Sequence, residues 1–169
     1  NVEPDFIVLT DPQYWAYKHI DGIKSPSSIL ITESAVYPSV FRFLCKKIIC
    51  CKSNFPLEHY FDSFRSEKGT LVAGGSVAST AWNFAQYAGT SEIYVAGLDL
   101  AFVNKQTHIK GSTFEQATHT TSKRIATAET SNMPILFSGN ACYEKNYKQE
   151  NVLTDQRMKM FAWWFESRL

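Results

Sequence analysis

The 169-residue chain has no excess of either charge: 17 Lys and Arg stand against 16 Asp and Glu, a formal net charge of +1. That balance gives no electrostatic grip on nucleic acid or anionic lipid, so neither is expected as a partner. No apolar run approaches the ~18 residues that a membrane-spanning helix requires. The start, NVEPDFIVLTDP, lacks both an initiator Met and a basic-then-apolar leader. The chain is therefore expected to be an excised part of a longer cytoplasmic protein. Its four cysteines, Cys45, Cys50, Cys51 and Cys142, match no zinc or redox spacing and read as structural thiols of a reducing compartment. DxD, HxxxH and CxxC are missing, so no metal site is expected. GGSVA is not the GxSxG of a serine nucleophile.

A 44% hydrophobic and 14% aromatic composition fits a globular protein, and the length fits one domain over residues 1–169. Phe6–Leu9, Ile29–Thr32 and Lys47–Cys50 are continuously apolar, the mark of strands buried on both faces of a parallel sheet. Short helices are predicted over Gln13–Ile20 and Pro38–Leu44. Pro56 opens another, with Leu57, Tyr60, Phe61 and Phe64 at i, i+3, i+4 and i+7. Gly69–Ala73 reads as a short strand entering Gly74-Gly75. From Ser76 a helix places Val77, Ala81, Phe84, Ala85 and Ala88 on one stripe and ends at Gly89.

Glu92–Ala96 is predicted as a central strand. From Ser112 to Asn151 the chain is Thr-rich and lacks periodicity, apart from a strand-like Pro134-Ile135-Leu136-Phe137. Thr154 is the expected cap of a last helix, Asp155–Arg168, with Met158, Phe161, Trp164 and Phe165 on one side. That helix either lies buried or meets a further segment or a second subunit, which leaves a homo-oligomer among the expected partners. The alternation of strands and helices predicts an α/β fold, a three-layer Rossmann-like sandwich with a mostly parallel sheet.

Three places carry candidate chemistry. Gly74, Gly75 and Ser76 lie between strand and helix, where free N–H groups favour an anion such as phosphate. They form neither GxGxxG nor a Walker A loop, and a tight turn is the plainer reading. Asp99 follows the predicted strand Glu92–Ala96 at the edge where open α/β sheets bind ligands. A carboxylate there can hold a ribose hydroxyl, a metal or a catalytic water, or simply cap its loop. Asp11 stands in the same position after the first strand. His108, in the polar loop QTHIKG, suits proton transfer or contact with a leaving phosphate, and is otherwise a surface residue. The crevice is expected where Asp11, Gly74 to Ser76 and Asp99 converge.

PDFIVLTDPQ, GGSVASTAWNFAQYAGTSEIYVAGLDLAF and THIKG resemble the bacterial motility accessory factor family, associated with flagellin glycosylation. The same domain group is named for an archaeal 6-hydroxymethyl-dihydropterin diphosphokinase. More distantly, SEIYVAGLDL is similar to family 42 sialyltransferases. The family pattern opens with a strand and a Gly-Pro-Ser-Leu-type nucleotide turn that this chain does not contain, which implies that it begins at the third strand. By this resemblance Asp11, Gly75 and Ser76 lie beside a nucleotide, and Asp99 ends the strand under the site. A catalytic role for His108 is inferred from its chemistry.

The resemblance implies a nucleotide-sugar transferase that moves a nonulosonic acid from a CMP donor to Ser or Thr of flagellin, with no cofactor. As an alternative, ranked second, it implies a diphosphokinase using ATP and Mg²⁺, for which Asp11 and Asp99 could supply two ligands. A scaffold that binds a nucleotide or flagellin without chemistry is the third reading.

Overall fold

The computed structural model describes residues 3–53, 55–65, 68–72 and 74–168. They fall into two compact units, Asn1–Ile93 and Tyr94–Leu169.

The first unit is built on three parallel strands, β1 (Phe6–Leu9), β2 (Lys24–Glu33) and β3 (Leu44–Cys51), in the order β1-β2-β3. All three runs of continuous apolar residues are thus strands, and the α/β class holds. β2 has a neighbour on both edges, pairing Phe6 with Ile29 and Ile29 with Lys47. Its middle is sealed on both faces: Leu30, Ile31 and Thr32 expose 0% of their surface.

Side chains alternate across the sheet as the two-residue period requires. Leu9 and Leu30 pack with Ala16, Ile20, Val36 and Val40, contributed by α1 (Tyr14–Tyr17), its following turn and a 3₁₀ turn at Pro38–Arg42. On the opposite face Ile31, Cys51 and Leu71 meet Val8, Ile29 and Phe84 of α3 (Val77–Tyr87). Phe84 also sets its ring edge-on to Phe6 at 5.0 Å. Helical layers therefore cover both faces of the sheet.

Several expected elements take another form. The segment around Thr70 touches the end of β3 through one parallel bridge, Lys52 to Thr70, and Ala73 lies outside the described residues. Glu92–Ala96 is not a strand; the boundary between the units falls inside it, and Tyr94 is 90% exposed. α2 (Pro56–Asp62) forms at its proline, yet Leu57, Tyr60, Phe61 and Phe64 are exposed and Glu58 is the buried residue. An ion cluster holds that inner side: Lys68 Nζ contacts both Glu58 and Asp62. The Lys68 hydrogen bond keeps both carboxyls below their ordinary range, and the Glu58 carboxylate raises Lys68. α3 buries Ser79, Thr80 and Trp82; of the predicted apolar stripe Ala81, Phe84 and Ala85 are half-buried, with Phe84 on the sheet, while Val77 and Ala88 are exposed.

The second unit holds α4 (Thr113–Thr121), α5 (Ala128–Ser138), an antiparallel pair β4 (Cys142–Lys145) and β5 (Asn151–Thr154), and α6 (Gln156–Glu166). Pro134 to Phe137, expected as a strand, lie inside α5, which Thr127 caps by accepting from the Thr130 N–H. α6 is capped by Asp155 and not by Thr154: the fully buried Asp155 carboxylate accepts from Met158 N–H at 2.9 Å and pairs with Arg157. Trp164 is buried on the expected side of α6. No helix among the described residues is long and apolar enough to cross a membrane.

Candidate functional site

Parallel strands end with their carboxyl edges on one side, and loops leaving that edge commonly build a ligand crevice. In the first unit this edge carries a recess of about 550 Å³. Thr10, Asp11 and Pro12 enter from the end of β1, Glu33 from the end of β2, and Ser53, Phe55 and Pro56 from the loop after β3. Gly75, Ser76, Val77 and Thr80 close it from the start of α3. The volume falls within the range of small-molecule sites.

Gly75 turns the chain into α3 with φ of +86°, a left-handed conformation that side chains resist. Ser76 is the N-cap, in extended conformation, and its Oγ accepts from the Ala78 N–H at 3.3 Å. The N–H groups of Gly75, Ser76 and Val77 find no acceptor among the described residues. They are the orphan donors of a helix start, next to the positive end of its dipole. Gly74 does not line the recess; its N–H donates to Ser79 Oγ at 2.9 Å and fixes the turn from behind.

Asp11 takes its loop-capping role, accepting the Gln13 N–H on Oδ1 at 2.8 Å, and also faces the recess. Sequence reasoning brought Asp11, Gly75 and Ser76 to one place. It missed Glu33, Ser53, Phe55 and Thr80. The available signal for the first three was position: each lies at or just beyond the end of a parallel strand.

Asp99 and His108 belong to the second unit. Asp99 is exposed and stands in an irregular stretch, before Leu100 at φ of +49°, and does not end a strand. His108 stacks on Phe114 with ring centroids 4.7 Å apart, and Nδ1 lies 3.1 Å from Thr107 Oγ1. These groups line a pocket of about 60 Å³ with Glu115, Thr118 and Asn132, and Asp99 is not among its lining residues. That volume suits a few waters and not a nucleotide. Among the described residues no group of three or more His, Cys, Asp or Glu is placed to hold a metal ion.

A family model described as 6-hydroxymethylpterin diphosphokinase MptE-like matches residues 1–105. That span contains the whole recess. The chain is 35% identical to an uncharacterized protein of Treponema pallidum (strain Nichols), over 99% of this chain and 50% of the relative. It is 25% identical to another uncharacterized protein of the same organism, over 99% of this chain and 34% of the relative. The chain thus spans about half the length of one curated relative and a third of the other. No solved structure matches it.

Proposed function

From the chain's membership of the 6-hydroxymethylpterin diphosphokinase MptE-like family, which the match over residues 1–105 establishes, we propose that the first unit binds the phosphates of a nucleotide co-substrate for a transferase reaction. The observation that carries this reading is the start of α3 opening into the recess, with the N–H groups of Gly75, Ser76 and Val77 unpaired. Phosphate is the anion such donors hold best, because each oxygen accepts several hydrogen bonds and the helix dipole adds its field.

Charge bears on the finer readings. Asp11 and Glu33 line the recess, and no Lys, Arg or His does so among the described residues. A bare nucleotide phosphate would face two carboxylates with the helix start as its only attraction. A magnesium nucleotide meets the same surface favourably, since Mg²⁺ binds through one or two carboxylates plus substrate phosphates. Asp11 and Glu33 are hard oxygen donors of the right kind and would hold it. When bound, such an ion would neutralise charge developing on a transferred phosphoryl group. The geometry therefore favours diphosphate transfer from ATP to a hydroxymethyl acceptor.

The second reading is transfer of a nonulosonic acid from a CMP donor to Ser or Thr of flagellin. The motifs around Gly74–Ala101 favour it, and a metal-free phosphate contact is what it requires.

Titrating the full chain with ATP, CMP and CMP-linked sugar, each with and without Mg²⁺, separates the readings. Binding of ATP that depends on Mg²⁺ supports the diphosphokinase. Metal-independent binding of CMP supports the glycosyltransferase. Binding of none of them removes the recess as a nucleotide site.

A further inference from the structure

We infer that Phe55 is the platform on which the nucleobase of that co-substrate stacks, an inference that rests on the nucleotide reading of the recess. Phe55 is the one aromatic residue among those lining the recess. Its side chain is conspicuously outward, with the residue 57% exposed. Several exposed aromatics of the first unit stand in ring clusters: Tyr60 packs edge-on to Phe61 and Phe64, and Tyr14 to Trp15 and Tyr37. No such ring partner holds Phe55 among the described residues.

The backbone that carries this ring is nevertheless fixed on both sides. The Phe55 N–H donates to Oγ of the buried Ser53 at 3.3 Å, and its carbonyl accepts from the N–H of Glu58 at 2.9 Å. Pro56, the first residue of α2, locks the next φ. A large apolar ring in water, on a backbone already ordered, is a preorganised binding surface: little conformational entropy remains to be lost when a flat ligand covers it.

The chemistry at the other wall completes the match. Gly75, Ser76 and Val77 offer N–H donors suited to phosphate, and Phe55 offers a π-face suited to a base. A nucleotide has these two ends joined by a ribose. Ser53 and Thr80, both buried, also line the recess. Stacking tolerates any base, so Phe55 supplies affinity for the base without strong selection among bases.

The test compares the parent, Phe55→Ala, Phe55→Leu and Phe55→Trp in the full chain, by calorimetric titration with AMP, CMP, ribose 5-phosphate and inorganic pyrophosphate in Mg²⁺. Phe55→Ala is expected to weaken both nucleotides on the order of 5- to 100-fold, the usual range for a lost base stack. Ribose 5-phosphate and pyrophosphate should bind as before. Phe55→Leu, which keeps apolar bulk without the ring, should lose most of the same affinity, and Phe55→Trp should keep it.

Equal binding of AMP and CMP by the parent and Phe55→Ala would overturn the inference. So would an equal loss of pyrophosphate, which would make Phe55 a structural support of the phosphate end. If the parent binds pyrophosphate but no nucleotide, the phosphate site stands and the role of Phe55 falls. If the parent binds neither, the nucleotide reading of the recess has failed, and the inference with it.

Discussion

Ser79 braces the turn that precedes its own helix: its Oγ accepts the Gly74 N–H at 2.9 Å and donates to the Ser76 carbonyl. One hydroxyl, 1% exposed, thereby ties the backbone on both sides of Gly75. The donors that face the recess are held in place by a residue that does not line it. Ser79→Ala is expected to cost about 1–3 kcal/mol in chemical denaturation, because the Gly74 N–H loses its partner. It should also weaken pyrophosphate binding, while Ser79→Thr restores part of both. Unchanged binding in a destabilised Ser79→Ala would separate the turn from the ligand.

Gly75 and Gly89 provide a matched pair for testing the recess. Both have left-handed backbones, with φ of +86° and +83°, at opposite ends of α3. Gly75→Val and Gly89→Val should each be destabilised by at least about 1–2 kcal/mol, the cost of a side chain in that conformation. Only Gly75→Val should also lose nucleotide binding, since its side chain stands at the recess. Parent-like binding by Gly75→Val, at a temperature where it stays folded, would show that the glycine serves the turn alone.

Acid should loosen the first unit through the Lys68 cluster. Glu58 and Asp62 titrate below their ordinary values of 4.5 and 3.8 because Lys68 hydrogen-bonds to each carboxylate. A lowered carboxyl stabilises the fold above its unfolded pKa, and the benefit is lost as pH falls through the folded value. Lys68 is raised from 10.5 by its bond to Glu58, so its share is present below that pH and lost above it. Melting temperature followed against pH should therefore drop below about pH 4.5 and again above about pH 10.5. Lys68→Met should melt lower at neutral pH and show a flatter acid limb, because both carboxyls return toward their ordinary values. An acid limb as steep as the parent's would assign the effect to other groups.

In the second unit, Gly139 leaves no room for a side chain. A Cβ there would lie 2.2 Å from Asp155 Oδ2, and Asp155 is fully buried. Gly139→Ala should destabilise by more than about 2 kcal/mol, since a fixed carboxylate must move or lose its cap. Combined with Asp155→Ala, which alone costs about 1–2 kcal/mol as a lost N-cap, the double variant should be less impaired than the sum. Strict additivity would show that the two residues do not share this space.

Legibility in the sequence followed how local each signal was. β2 read correctly because its middle is buried on both faces, as at Leu30 and Ile31, and the apolar runs of β1 and β3 pair along its two edges. The Ser76 cap and Gly89 stop read correctly because both act within one turn of the helix. Burial did not read as well, since it depends on what lies opposite. Leu57, Tyr60 and Phe61 keep perfect helical spacing and face water, whereas α3 buries Ser79 and Thr80.

Glu92–Ala96 has strand-like composition but lies where one unit gives way to the other. Pro134-Ile135-Leu136-Phe137 is apolar enough for a strand, and the Thr127 cap before it decides for helix. Part of the crevice was legible from Asp11, Gly75 and Ser76. Glu33 and Phe55 were not: nothing local distinguishes Glu33 from the other residues of its strand, and Phe55 stands in a loop after β3 that carries no motif.

The recess assigns structure and selectivity to different stretches of chain. Its floor is the end of a sheet whose central residues are tightly packed, but its walls come from the loops after β1 and β3, the last residue of β2 and the start of α3. Each connection is exposed to drift on its own: Glu33, Phe55 and Gly75 arrive on separate passes and share no backbone. A change at one wall therefore leaves the others, and the sheet beneath them, in place. One scaffold can then present differently lined recesses.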